Sequence, residues 1–321
     1  MDRGMIVNLN DGLQVEIHSI PTRLIAWPGN GFIHTALHLL TLNPGTTTPL
    51  YTYQISEEAL LCLHGSGQVF LHNQWVTIQP GDIPYIPENI PHAISNPTTN
   101  TEPLILVAAI AIPPLDLYET SNLYDRQTAT FNTNKIQELQ NNNTDYSRPL
   151  EHPCSLTYHD THHELRPWNL TNTTIRSQGA LFNITKGALS SAIGSPLFYI
   201  LWPGYGTRNL AFHFAYAPSS AHFITHKHPL SDDLIITFNG SMLSVLDNKE
   251  CSTRPYDCVM APCGILHGGK PKPNLEHKTS SNTPEPIMLG GFSAPPQLDL
   301  YLRSGHYARG IFSRPPFVNT F

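Results

Sequence analysis

A chain of 321 residues is long for one small module and suits two domains, each able to bury its own core. Only 13% of the residues are charged, the formal charge is −6 and no basic block occurs, which argues against a phosphate-tracking nucleic-acid binder. With 40% hydrophobic residues cut into short runs by 29 Pro and 21 Gly, a coiled coil and long-range disorder give way to turn-rich, all-β structure.

Residues 1–12 carry no apolar leader, and the longest apolar run, 104–113, falls well short of the roughly 20 residues that a bilayer helix needs. No membrane partner is expected. Five cysteines, an odd number without a CxxC spacing, indicate neither a disulfide scaffold nor a zinc knuckle and fit a reducing cytoplasm. In that compartment the Asn-x-Thr sequons at Asn169, Asn172 and Asn183 read as polar surface.

In chain order, short alternating runs at 13–20, 36–42, 59–63, 68–71 and 104–112 predict strands of a first barrel. Residues 121–175 form an Asn/Thr-rich connection with one short helix predicted at 135–140 and strands near 155–159. Runs at 210–216, 234–238, 242–246 and 287–292 predict a second barrel. The two sets are copies. Trp27-Pro28-Gly29-x-Gly31 returns as Trp202-Pro203-Gly204-x-Gly206, and the same offset of 175 relates His38 to His213, Gly65 to Gly240, Asp82 to Asp257 and His92 to His267. After His267 the second copy has about eight extra residues, and both copies close on one phrase, ending in Asp116-Leu117-Tyr118 and Asp299-Leu300-Tyr301. The expected domains are 1–120 and 176–303, followed by a tail, 304–321.

In the second copy His226-Lys227-His228 lies in a strand-like stretch, where residues i and i+2 share a face and can share one metal. Asp233 follows, and His267 arrives after the turn Pro262-Cys263-Gly264. Three imidazoles and a carboxylate suit Fe, Mn, Ni or Zn in an open site. Asp233 reaches less far than a Glu would, and Asp232 is its neighbouring alternative.

Here the sequence resembles the cupin superfamily. Its first motif is matched by Ser220, His226, His228, Asp233 and Gly240, its second by Tyr256, Pro262, Gly264 and His267; Ser220 and Tyr256 replace glycines and Asp233 replaces glutamate. The resemblance spans both repeats and implies two tandem jelly-roll β-barrels holding one divalent transition metal, Fe(II) or Mn(II) before Ni(II) or Zn(II). In the first copy the same positions are Tyr51, Tyr53, Glu58 and His92, so that barrel is expected to be structural. Three His and one carboxylate leave two positions on an octahedral ion. A small, oxygen-rich substrate is implied, with a non-haem Fe(II) dioxygenase first, a non-redox isomerase, lyase or aminohydrolase next, and a non-enzymatic binding or storage bicupin last. Exposed β-edges and the family resemblance allow a homodimer.

Five further readings complete the expectation. His222 has no counterpart in the first copy and shares strand parity with His226, which makes it a candidate acid-base residue. Lys270 and Lys272, just after His267, head a candidate rim loop running to Lys278 that would favour an anionic substrate. His38 and His213, present in both copies, are expected to serve packing or hydrogen bonding. Cys258 and Cys263 are expected to be buried as small hydrophobes. His159, His162, His163 and Glu164 are read as solvated connection.

Overall fold

The computed structural model describes residues 3–142, 148–150, 155–156, 171–272 and 286–306. The linker cluster at 159–164, Cys154, Asn169 and residues 273–278 of the candidate rim loop lie outside them. Of the strand expected at 155–159, Ser155 and Leu156 are described and are not in a strand.

The chain is all-β and forms two compact units, each pairing a seven-stranded sheet with a four-stranded one, as a jelly roll does. The duplication keeps the bounds of six strands. Strands Ala36–Leu42, Glu57–His64, Gly67–Leu71, Gln74–Ile78 and Asp82–Ile86 recur as Ala211–Ala217, Asp232–Asn239, Met242–Leu246, Lys249–Thr253 and Asp257–Ala261. Leu104–Ala111 recurs as Ile287–Ala294. The central strands of the large sheets, Glu57–His64 and Leu104–Ala111, are buried almost throughout and so read as continuous apolar runs; the outer strand Leu13–Ile17 alternates buried and exposed.

The repeated Trp-Pro-Gly-x-Gly phrase has a steric cause. A Cβ on Gly29 or Gly204 would collide with the ring of Trp27 or Trp202, and Gly31 and Gly206 close the turn at φ 96° and 98°, where a side chain is strained.

The compact units follow strand pairing and not the sequence repeat alone. Met5–Asn8 pairs with Asp257–Ala261 in the second unit, and its repeat, Ala180–Asn183, pairs with Asp82–Ile86 in the first. The first unit therefore holds described residues of Leu9–Thr157 with Thr174–Asn183, and the second those of Met1–Asn8, Tyr158–Thr173 and Ile184–Phe321, so both differ at their ends from the repeat boundaries at 120 and 176. Of the connection, the expected helix spans Thr133–Asn142 and packs Ile136 and Leu139 against the first unit's core. Among the described residues no helix is long and apolar enough to cross a membrane.

Candidate metal centre

The first unit fills its interior. Leu40, Leu60, Val69, Ile94, Leu106 and Ala108 belong to one buried cluster, and the cavity left beside it measures only about 10 Å³, room for a single water. At the positions of the second copy's ligands, His92 Nε2 donates to Glu58 Oε2 at 2.7 Å, Tyr51 donates to the same oxygen at 3.2 Å, and His18 stacks on Tyr51 at 4.1 Å. The carboxylate is satisfied by its neighbours.

The second unit opens the same place into a cavity of about 70 Å³. Where the first copy has Leu40, Val69, Ala93 and Ala108, the second has Ala215, Ser244, Gly268 and Gly291, all lining the cavity; Phe223 and Met242, in place of Thr48 and Gly67, refill part of it.

At one side of the cavity, ligand atoms of His226, His228 and His267 lie within 4.8 Å of one another. Strand Phe223–His226 ends at the first imidazole, and His228 follows beyond it, the two rings 4.8 Å apart. The strand His267–Pro271 supplies the third imidazole and Asp232–Asn239 supplies Asp233. Asp233 is buried, with Oδ2 3.3 Å from His267 Nε2 and 3.9 Å from His228 Nε2. Asp232 points away: its Oδ1 accepts from the backbone N–H of Cys263 at 3.0 Å, which fixes the turn before His267.

Each imidazole is oriented through Nδ1. His226 donates to the Ile224 carbonyl at 2.7 Å, His267 to the Ile265 carbonyl at 3.0 Å and His228 to the Asp299 carboxylate at 3.1 Å. A proton held on Nδ1 leaves the Nε2 lone pair free to ligate. The Nε2 atoms of His228 and His267 are buried and have no hydrogen-bond partner, since Asp233 faces them as an ion-pair partner without hydrogen-bond alignment. Two orphaned imidazole nitrogens beside a buried carboxylate fit a divalent transition metal.

The electrostatics favour a charged Asp233 and a neutral His226, while His267 is held toward its protonated form. Burial opposes the charge on Asp233, but His267, His228 and His213 outweigh it and hold the carboxyl at about 2. Burial and the neighbouring His267 push His226 down to about 4, so that ring stays neutral. For His267 burial is outweighed by Asp233, and its basicity is raised.

Three of the expected site residues are placed elsewhere. His222 is exposed, its backbone N–H bonded to Ser195 Oγ at 2.9 Å. The parity that linked it to His226 is broken by a bulge between Phe223 and His226, so Phe223 lines the cavity and His222 turns outward. Lys270 and Lys272 are exposed as well. The residues after His267 continue as a strand, paired with Met242–Leu246, in which His267 faces the cavity and Lys270, three places on, faces out; Lys272 reaches Ser252 Oγ at 3.2 Å. Cys258 is buried as expected, whereas Cys263 is exposed and its S–H faces the Pro229 carbonyl.

His213 and His38 make matching bonds, to Tyr301 at 2.9 Å and Tyr118 at 3.2 Å. Burial lowers His213 to about 4 and it is neutral. Asp299 and Gln297 emerge only from the structure. Asp299 was visible as a member of the repeated closing phrase, the counterpart of Asp116, but its link to His228 is a tertiary contact.

Comparison with known proteins agrees with this architecture. Residues 38–109 match the cupin domain family, in the copy whose metal set is replaced. No curated protein matches by sequence. Among solved structures the chain is similar to protein Ylba from E. coli, with a TM-score of 0.58 at 10% identity over 91% of this chain and 90% of that one. It is also similar to an oxalate decarboxylase of Bacillus subtilis, at 0.57 and 12% over 92% and 78%. The 11S globulin procruciferin of Brassica napus gives 0.56 and 10% over 91% and 84%.

Proposed function

We propose that this chain, a two-domain protein of the cupin fold, is a metalloenzyme acting on a small oxygen-bearing substrate, with one ion held in the second unit by His226, His228, His267 and Asp233. The observation that carries this reading is the pair of buried, unpartnered Nε2 atoms of His228 and His267, each ring fixed through its Nδ1. Fe(II) is the first choice of ion and Mn(II) the second, with Ni(II) and Zn(II) compatible with the same nitrogen and oxygen donors. When bound, the ion supplies Lewis acidity and open positions for substrate and O2.

The residues around it favour dioxygenase chemistry over isomerisation, elimination or hydrolysis. Among the described residues, no Lys or Arg and no carboxylate besides Asp233 lines the cavity; its wall is mostly apolar, from Ile193, Leu197, Phe223 and Leu289. Among the described lining residues the one imidazole outside the ligand set, His213, is neutral and tied to Tyr301. Such a wall excludes water and leaves little side-chain acid-base capacity, which suits a substrate activated by its own enol or catechol oxygens. The substrate's negative charge, if it carries one, would meet the ion and not a lysine. Among the described residues no disulfide is formed, in keeping with a reducing cytoplasm.

The test is metal analysis of protein purified without chelators, followed by O2 uptake with candidate enols and catechols. One ion per chain and O2 consumption, both lost in His267→Ala, are expected. Metal without O2 uptake would replace the dioxygenase by a non-redox enzyme, and absence of metal would leave a ligand-binding or storage protein.

A further inference from the structure

Gln297 lines the cavity, is 1% exposed, and its amide Nε2 has no hydrogen-bond partner. Its main chain is committed elsewhere: the carbonyl accepts from the N–H groups of Leu300 and Tyr301 at 2.9 and 3.3 Å and opens the helix Leu298–Arg303. His213 is its polar neighbour in the cavity wall. His213 is in turn fixed by Tyr301. The amide N–H2 is therefore left for a molecule in the cavity, whose wall also holds His226, His267 and Asp233.

The internal repeat supplies a control for this residue. Ala111 and Ala294 end equivalent strands, Asp116 and Asp299 lie in equivalent helices, and the count between them is the same in both copies, which sets Gln297 opposite Pro114. Proline has no donor to offer. The His38–Tyr118 pair that matches His213–Tyr301 is present in the first unit, so packing of that pair does not require the amide. The donor occurs in the copy with the open cavity and the orphaned imidazoles.

We infer that Gln297 is a substrate-binding residue whose Nε2–H2 donates to an oxygen of a small molecule that also reaches the metal position. The inference rests on the metal-centre reading and adds the substrate class: a compact molecule with at least two oxygen sites, one for the ion and a second, an acceptor, for the amide. A buried donor left without an acceptor is costly, so the site discriminates against molecules that lack the second oxygen.

The test uses the full chain loaded with Co(II), with oxalate as the probe carrying a distal acceptor and acetate as the probe carrying a methyl group there, both followed by the visible spectrum of the ion. Wild type should bind oxalate more tightly than acetate. Gln297→Leu should weaken oxalate by about tenfold or more and leave acetate nearly unchanged. Gln297→Glu, which replaces the donor by an anionic oxygen, should lose oxalate while retaining Co(II). A wild-type chain that takes up no Co(II) overturns the metal centre itself. A Co(II)-loaded wild type that binds oxalate no better than acetate, or variants that bind it as well as wild type, overturn the role of Gln297 alone.

Discussion

Asn8 Nδ2 donates to Asp257 Oδ1 at 2.8 Å, and 175 residues later in the chain Asn183 Nδ2 donates to Asp82 Oδ1 at the same distance. Each Asn lies on the first strand of its repeat and each Asp at the start of a strand belonging to the other repeat. The duplication thus preserves an exchange of strands, locked at one end by an amide-carboxylate bond. Asn8→Ala leaves Asp257 without this donor and should destabilise the second unit by about 1–3 kcal/mol. Hydrogen exchange should rise at Asp257–Ala261 and not at Asp82–Ile86, with Asn183→Ala giving the reverse pattern. Uniform exchange in both variants would mean that the bond is incidental to the pairing.

The carboxylate of Asp299 should tune the metal site without touching the ion. It accepts from His228 Nδ1 and so fixes the tautomer and ring plane of a ligand. Asp299→Asn should weaken metal affinity by about 10–100-fold, measured by competition with a chelator. Arg303 approaches the same carboxylate only at 3.8 Å, from an exposed position, and Arg303→Ala should leave affinity nearly unchanged. Equal effects of the two variants would point to general electrostatics instead of ligand orientation.

Stability should fall in acid through His38. Burial, with the nearby His18 charge adding to it, lowers His38 to about 3 from an ordinary value of 6.5. Below pH 6.5 the unfolded chain takes up a proton that the folded chain refuses. The contribution of neutral His38 is therefore complete above pH 6.5 and is lost progressively as the pH falls toward 3. The slope is about 1.4 kcal/mol per pH unit for one such group. His38→Gln keeps a polar partner for Tyr118 and cannot titrate, so urea unfolding between pH 4 and 6 should show a shallower loss by about that amount. Parallel pH dependence in the two proteins would show that the unfolded-state proton goes elsewhere.

What the sequence made legible follows from what kind of contact carries each feature. The duplication, the β-class and the three imidazoles are written in spacing, because strand alternation and a Pro-x-Gly turn act over a few residues. His222 was misplaced since one extra residue in a strand inverts the facing of everything before it, and a bulge leaves no mark in a periodic pattern. Lys270 and Lys272 were misplaced for a related reason: the stretch after His267 looks like a loop by its Gly and Pro content, yet pairs as a strand in which odd and even positions divide between cavity and solvent. Asn183, read as surface polarity, is a strand lock. Gln297 and Asp299 depend on a helix returning to the site, and no local signal announces such a contact.

The most direct test of the fourth ligand comes from a residue that has no side chain. Gly291 stands opposite Ala108 of the first copy, and a Cβ there would lie 3.2 Å from Asp233 Oδ1 and 3.6 Å from Ile235 Cγ1. Its strand, Ile287–Ala294, is regular at this point, so alanine meets no backbone penalty; the conflict is with the carboxylate alone. Gly291→Ala should fold and keep the three imidazoles in place while displacing Asp233 by a few tenths of an ångström. If Asp233 ligates the ion, affinity should drop by about tenfold, and Asp233→Asn should drop it further. Unchanged affinity in Gly291→Ala, together with a large loss in Asp233→Asn, would place the carboxylate's role in charge balance with His267 and not in the coordination sphere. The converse change, Ala108→Gly, should leave the first unit free of metal, because Glu58 there is already bonded to His92 and Tyr51.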